Sequence, residues 1–171
     1  MGTNTAQKPT HWRQSGLHWW WLIVLLFVAD QFTKWLVVQN MDLFSRINIL
    51  PFFDLVHVRN YGAAFSFLSD QGGWQRWFFT VIALVISVVL VVFLRRQARQ
   101  LTWLNLGFAL ILAGALGNVI DRIVFGYVVD FLDFYVGGYH WPAFNLADSC
   151  IVIGAGLVIF DGFKSNRTAT E

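Results

Sequence analysis

Long apolar runs alternate with short polar segments along the chain, from Trp19 to Val38, Trp77 to Leu94, about Leu101 to Val124 and Ala143 to Phe163. Each meets the length of about 20 residues that a helix needs to cross a hydrocarbon core of ~30 Å. They predict four transmembrane helices. The first run continues into Asp30-Gln31-Phe32-Thr33-Lys34 and lacks a small-residue cleavage site, so it reads as a retained span rather than a cleavable signal peptide. The segments left over form two outer loops, roughly 39–76 and 125–142. In the first loop, Phe53 to Arg59 partly alternates, with Val56 and Val58 on one face and His57 and Arg59 on the other, as a strand requires. Asn60-Tyr61-Gly62 is a turn signal, Ala63 to Leu68 reads as a return strand, and Gly72-Gly73 breaks the chain. The expected fold is an α-helical integral membrane protein, with four transmembrane helices and a small β-sheet on the outer membrane surface. A single domain covers 1–171, with disordered tails at about 1–16 and 164–171.

Composition agrees with a membrane solvent. The chain is 57% hydrophobic and 13% charged, against about 25% charged in soluble domains. A net charge of +2 gives no footprint for nucleic acid, and the single cysteine, Cys150, excludes an intramolecular disulfide. Lys8, Arg13, Arg95, Arg96, Arg99, Lys164 and Arg167 fall on the side of both termini. The other side has Arg46, Arg59 and Arg76, with Lys34 and Arg122 at helix ends. This bias predicts cytoplasmic termini. Trp19, Trp20, Trp21, Trp35, Trp74, Trp77, Trp103 and Trp141 fall near span ends, as in an aromatic belt.

Candidate chemistry lies in the polar residues at membrane depth. Asp30 and Lys34 share a helix face and can pair. Asn118, Asp121 and Arg122 share a face of the third span, where a polar, charge-neutralising cluster is expected. Just before them, Ala113-Gly114-Ala115-Leu116-Gly117 allows close helix packing.

Asp130, in Val128-Val129-Asp130-Phe131, and Asp148, in Asn145-Leu146-Ala147-Asp148, sit in apolar surroundings. A carboxylate there costs about 2.5–3.5 kcal/mol, so something must compensate for it. Asn145 and Asp148 lie i, i+3 on the fourth helix, and Asp130 lies in the loop or helix end before it. Two readings stay open. Each aspartate caps a helix or pairs with Arg122; that fits Asp130 tolerably and Asp148 poorly, since Asp148 lies inside the apolar run. Alternatively, the chain turns back and the two carboxyls form an aspartyl dyad. Such a pair shares one proton, so that one member takes a proton from water while the other polarises an amide carbonyl. Asn60, Asn118 and Asn145 would then orient the substrate backbone or the carboxyls. A serine or cysteine nucleophile fares worse: there is no Gly-x-Ser-x-Gly elbow, and Ser149 and Cys150 point away from Asp148. No His-Glu-x-x-His pattern occurs, so neither a metal nor another cofactor is expected. An ion or proton transporter with a carboxylate relay is the competing class. It needs carboxylates at several depths, whereas Asp30, Asp121, Asp130 and Asp148 all fall toward the outer ends of their spans.

Five segments resemble the bacterial lipoprotein signal peptidase (signal peptidase II) family. They are Asp30 to Lys34, Asn60-Tyr61-Gly62-Ala63-Ala64-Phe65-Ser66, Gly114 to Asn118 with Asp121-Arg122, Val128 to Phe131, and Phe144 to Ser149. Thr33 and Ala113 depart mildly, where the family often has Ser and Gly. The resemblance implies four transmembrane helices, a periplasmic sheet that cradles the substrate, and catalytic Asp130 and Asp148. It implies substrate-site roles for Asp30, Lys34, Asn60, Gly62, Asn118, Asp121, Arg122 and Asn145. It further implies a bacterial inner-membrane endopeptidase acting near the periplasmic face. Its substrate would be a diacylglyceryl-modified prolipoprotein, cut just before the lipidated cysteine, and globomycin-type inhibitors would block it.

Overall fold

A computed structural model of the chain describes residues 11–62, 72–100 and 102–168, with side chains through 164. Among the described residues, four helices are long and apolar enough to cross a membrane: α1 (Trp20–Asn40), α2 (Trp74–Arg96), α3 (Trp103–Val124) and α4 (Leu146–Thr168). Helix α3 is central, since 56% of its span is buried against 17–22% of the others. The outward faces of α1, α2 and α4 expose large apolar side chains such as Leu25, Val88 and Val152, as lipid contact requires.

Small residues set the α3–α4 spacing. A Cβ on Gly107 would lie 2.7 Å from the Gly154 carbonyl oxygen, and one on Gly154 would lie 2.7 Å from the Gly107 oxygen. A Cβ on Gly114 would collide with the Ala147 carbonyl. The packing role expected of the small residues around Gly114 holds, and Gly107 and Gly154 extend it along the interface.

The outer loops build one antiparallel sheet in the order β1 (Arg46–Leu50), β2 (Phe53–Asn60), β3 (Val128–Val136), β4 (Tyr139–His140). The strand expected over 53–59 is β2, and its described neighbours are β1 and β3. The expected return strand at 63–68 lies outside the described residues. A bulge between Leu55 and Val58 breaks the β2 alternation, so Val56 and His57 are both buried. Asp54 faces Asp133 across the strands; Arg46 bridges both, and His140 Nδ1 lies 3.0 Å from Asp133. Gly137 and Gly138, both at positive φ, close the β3–β4 hairpin.

Two expectations need correction. The N-terminal tail does not extend to residue 16: Trp12–Gln14 and Gly16–Trp19 form 3-10 turns around a buried Ser15. At the other end, α4 continues to Thr168 instead of stopping near residue 163.

Leucine at Gly154 would overpack the interface. Gly154→Leu is expected to lower stability by roughly 1–3 kcal/mol, read as a fall in thermal midpoint in detergent. Gly156→Ala, where a Cβ meets nothing within 4 Å, should leave the midpoint unchanged or higher.

Candidate active site

Strand pairing and a helix start bring the two aspartates together. Asp130 sits in mid-strand, paired with Val58, rather than in a loop or helix end. Leu132 then pairs with Phe144, exchanging backbone hydrogen bonds of 2.8 and 3.0 Å, which folds the chain before α4 back along β3. Asn145 thereby lands beside Asp130. Asp148 lies in the first turn of α4, not inside the apolar run. Its N–H donates to Asn145 Oδ1 (2.9 Å) and its Oδ2 accepts from Asn145 N–H (3.4 Å). This reciprocal pattern is a capping box. The capping role that spacing disfavoured for Asp148 is therefore present, and its other oxygen, Oδ1, is left to accept from Asn118.

Three asparagine amides hold the carboxylates, and obligate donors fix their orientation. Asn145 Oδ1 accepts the Asp148 N–H, so its Nδ2 faces Asp130 Oδ1 at 2.7 Å. Asn118 Oδ1 accepts from the Lys34 ammonium at 3.0 Å, so its Nδ2 faces Asp148 Oδ1 at 2.7 Å. Asn60 Oδ1 accepts the Gly62 N–H at 3.0 Å, so its Nδ2 faces Asp130 Oδ2, also at 3.0 Å. An N–H or ammonium can only donate, so flipping any of these amides would set donor against donor.

Burial raises the Asp130 carboxyl most, and the charge of Asp148 raises it further. The Asn60 and Asn145 hydrogen bonds and the Lys34 charge pull it down, and it settles at about 7. Like charges brought together in this way titrate as a pair.

Beneath the pair lies a charged cluster with almost no exposure. Lys34 Nζ is 2.9 Å from Asp30 Oδ2 and 2.9 Å from Asp121 Oδ2. Gln31 Nε2 donates to both carboxylates and to the Gly117 carbonyl. The cluster reaches up to the site through backbone donors: Ala147 N–H to Asp30 Oδ1 (2.8 Å) and Val129 N–H to Asp121 Oδ2 (3.3 Å). A Cβ on Gly117 would lie 2.5 Å from Asp30 Oδ2, so this glycine makes room for the cluster.

A cavity of about 500 Å³ opens over the site. Asn60, Asn118, Arg122 and Asp148 form its polar wall, while Trp141, Phe144 and Val152 belong to its apolar one. Of the residues expected to bind substrate, Asn60, Asn118 and Arg122 line this space. Asp30, Lys34 and Asp121 lie behind it as the supporting cluster, and Asn145 bridges the two aspartates. Arg122 donates to the Gly62 carbonyl (3.0 Å) and sits over the Phe79 ring; it forms no ion pair with either aspartate among the described residues. Gln31 and Trp141 were not expected at the site, since Gln31 stood only within the Asp30–Lys34 segment and Trp141 only in the aromatic belt, although a glutamine inside an apolar run was a signal. Ser149 also lines the cavity, but its hydroxyl donates back to the Asn145 carbonyl (2.9 Å).

The family profile described as Signal peptidase (SPase) II matches residues 22–164. The chain belongs to the signal peptidase II family. A lipoprotein signal peptidase of Shewanella loihica is 58% identical over 159 residues, covering 93% of this chain and 94% of that protein. One of Shewanella pealeana is 57% identical over the same length, again covering 93% and 94%. Two solved structures, each described as a bacterial membrane enzyme, share the fold. One has a TM-score of 0.79 at 35% identity, covering 90% of this chain and 92% of its own. The other has a TM-score of 0.72 at 33% identity, covering 88% and 96%. The chain is therefore a multi-pass membrane protease of the signal peptidase II family. The transporter alternative finds no support, and the carboxylates near the site gather at one end of the bundle.

Removing the cation tests the supporting cluster. Lys34→Met would leave Asp30 and Asp121 buried without a counter-ion, an expected loss of about 3–5 kcal/mol, measured as a large fall in the detergent-phase thermal midpoint.

Proposed function

We propose that this signal peptidase II uses Asp130 and Asp148 as a catalytic dyad to remove the signal peptide from diacylglyceryl-modified prolipoproteins, cutting just before the lipidated cysteine. The observation that carries this reading is the delivery of two carboxyls, one from β3 and one from α4, to a single asparagine-held floor beside an apolar cavity. The names of the relatives support the substrate class.

Below about pH 7 the pair holds one proton. Water enters between the carboxyls and the scissile peptide. The ionised carboxyl accepts a proton from that water as its oxygen bonds to the carbonyl carbon, while the protonated partner hydrogen-bonds to the carbonyl oxygen and gives it a proton. The tetrahedral intermediate collapses with cleavage of the C–N bond. The departing amine takes a proton from the carboxyl that received one, and the other carboxyl recovers its proton from the collapsing hydroxyl. Asn60, Asn118 and Asn145 fix the carboxyls throughout, and Asn60, Asn118 and Arg122 present polar groups to the substrate backbone. Trp141, Phe144 and the α4 residues Val152 and Ile153 offer apolar surface to the signal helix or acyl chains. The basic-residue bias supports a bacterial inner-membrane orientation with cytoplasmic termini and a periplasmic site. Globomycin-type inhibitors would occupy the same cavity.

Asp130→Asn and Asp148→Asn are each expected to lower kcat by at least ~10²–10⁴-fold on a lipidated prolipoprotein in detergent, with near wild-type thermal midpoints. Wild-type activity in either variant would remove the dyad.

The pH dependence follows from the raised Asp130 carboxyl. Activity should fall as pH rises through about 7 and the pair loses its shared proton. Stability has the same sign: between the ordinary value of 3.8 and about 7 the folded state holds a proton that the unfolded chain has released, so stability falls as pH rises across that window. A pH series of thermal midpoints should show this slope in the wild type and a flatter one in Asp130→Asn.

A further inference from the structure

At the end of the bundle opposite the carboxylates, the segment before α1 is joined to the turn between α2 and α3. Ser15 forms an antiparallel bridge with Ala98. Gly16 N–H donates to the Gln97 carbonyl (2.9 Å), Arg99 N–H to the Gln14 carbonyl (2.9 Å), and Trp19 Nε1 to the Arg99 carbonyl (3.1 Å). Asn105, fully buried in the first turn of α3, ties this clasp down by donating to the Ala98 carbonyl (2.8 Å) and the Gln100 carbonyl (2.9 Å). Gly16 packs directly on it: a Cβ there would meet Asn105 Oδ1 at 2.9 Å.

The clasp gathers positive charge. Helix α2 ends on Arg95 and Arg96, and the pairing sets Arg99 beside the stretch that carries Arg13. All four arginines are exposed. Among the described residues none of them forms an ion pair, and Arg13 instead lies over the Trp12 ring at 5.3 Å. Exposed Trp12, Trp20, Trp21 and Trp103 surround this end of the bundle, as aromatic side chains do at the level of lipid headgroups. The backbone pairing of Arg99 with Gln14 places Arg13 and Arg99 on neighbouring segments a few residues past the Arg95-Arg96 end of α2, a concentration of solvated positive charge that attracts anions. At a membrane surface the abundant anions are phosphodiesters, whose oxygens match the fork of a guanidinium.

We propose that Arg13, Arg95, Arg96 and Arg99 form a binding site for the phosphodiester headgroup of an anionic phospholipid in the leaflet opposite the catalytic carboxylates. Bound lipid would neutralise the cluster and brace the clasp, which sits at the start of the helix that carries Asn118, Asp121 and Arg122. The site is separate from the peptidase chemistry, so its test does not depend on that reading.

The test is native mass spectrometry of the purified full chain offered equal amounts of phosphatidylglycerol and phosphatidylcholine. The wild type should retain phosphatidylglycerol preferentially. The triple variant Arg95→Gln, Arg96→Gln, Arg99→Gln should weaken that retention about fivefold per charge removed, or roughly a hundredfold together, with phosphatidylcholine unaffected and prolipoprotein cleavage in neutral detergent unchanged. Equal retention of the two lipids by the wild type, or full phosphatidylglycerol retention by the variant, would overturn the proposal. So would displacement of the lipid by millimolar inorganic phosphate, which would mark a free-anion site instead. If the variant does not fold, the wild-type comparison alone decides.

Discussion

A single ammonium group, Lys34 Nζ, sits between two carboxylates where water cannot reach, and the outer end of the bundle is organised around it. The low dielectric makes separation of these charges expensive, so α1 and α3 are held in one register. The remaining lone pairs of the carboxylates are then satisfied by Gln31 and by the backbone at Val129 and Ala147. Those two backbone donors belong to the residues just before Asp130 and Asp148. The supporting cluster therefore fixes the two chain positions on which the proposed chemistry rests.

From that base the order of the site propagates through amides of known orientation. Lys34 turns Asn118, which presents its NH2 to Asp148. The first turn of α4 orients Asn145, which presents its NH2 to Asp130. The same capping contact that starts the helix thus also orders the floor of the proposed dyad. Pre-organised donors of this kind do not reorient during reaction, which is what electrostatic catalysis requires. The glycines of α3 make the arrangement sterically possible, since Gly114 and Gly117 face Ala147 and Asp30 where any side chain would intrude.

The four spans and the β2 strand were legible because length and periodicity report burial directly. The Asp30–Lys34 pair was legible from its i, i+4 spacing. The β2–β3 pairing was not, because its partners lie about 70 positions apart and neither carries a local turn linking them; the turn signal at Asn60-Tyr61-Gly62 pointed to a nearer partner. The capping role of Asp148 was missed because Ala143 and Phe144 extend the apolar run, so that Asp148 reads as past the first turn, although Phe144 bridges to Leu132 of β3 and α4 starts only at Leu146. The place of Asp121 with Lys34, rather than with a cavity, depends on how α1 rotates against α3, and no residue spacing within one helix carries that information. The family resemblance supplied the pairing of Asp130 with Asp148 that spacing alone left open.

The central claim is that Asp130 and Asp148 act as one unit holding a single proton below about pH 7. Infrared difference spectroscopy on protein with isotope-labelled aspartate reads this directly, through the band of a protonated carboxyl. The account predicts one such band near pH 6 that titrates away around pH 7. The band should be absent from the double variant in which both residues are replaced by asparagine. The account is contradicted if no protonated carboxyl is seen near pH 6, or if the band persists unchanged in that double variant.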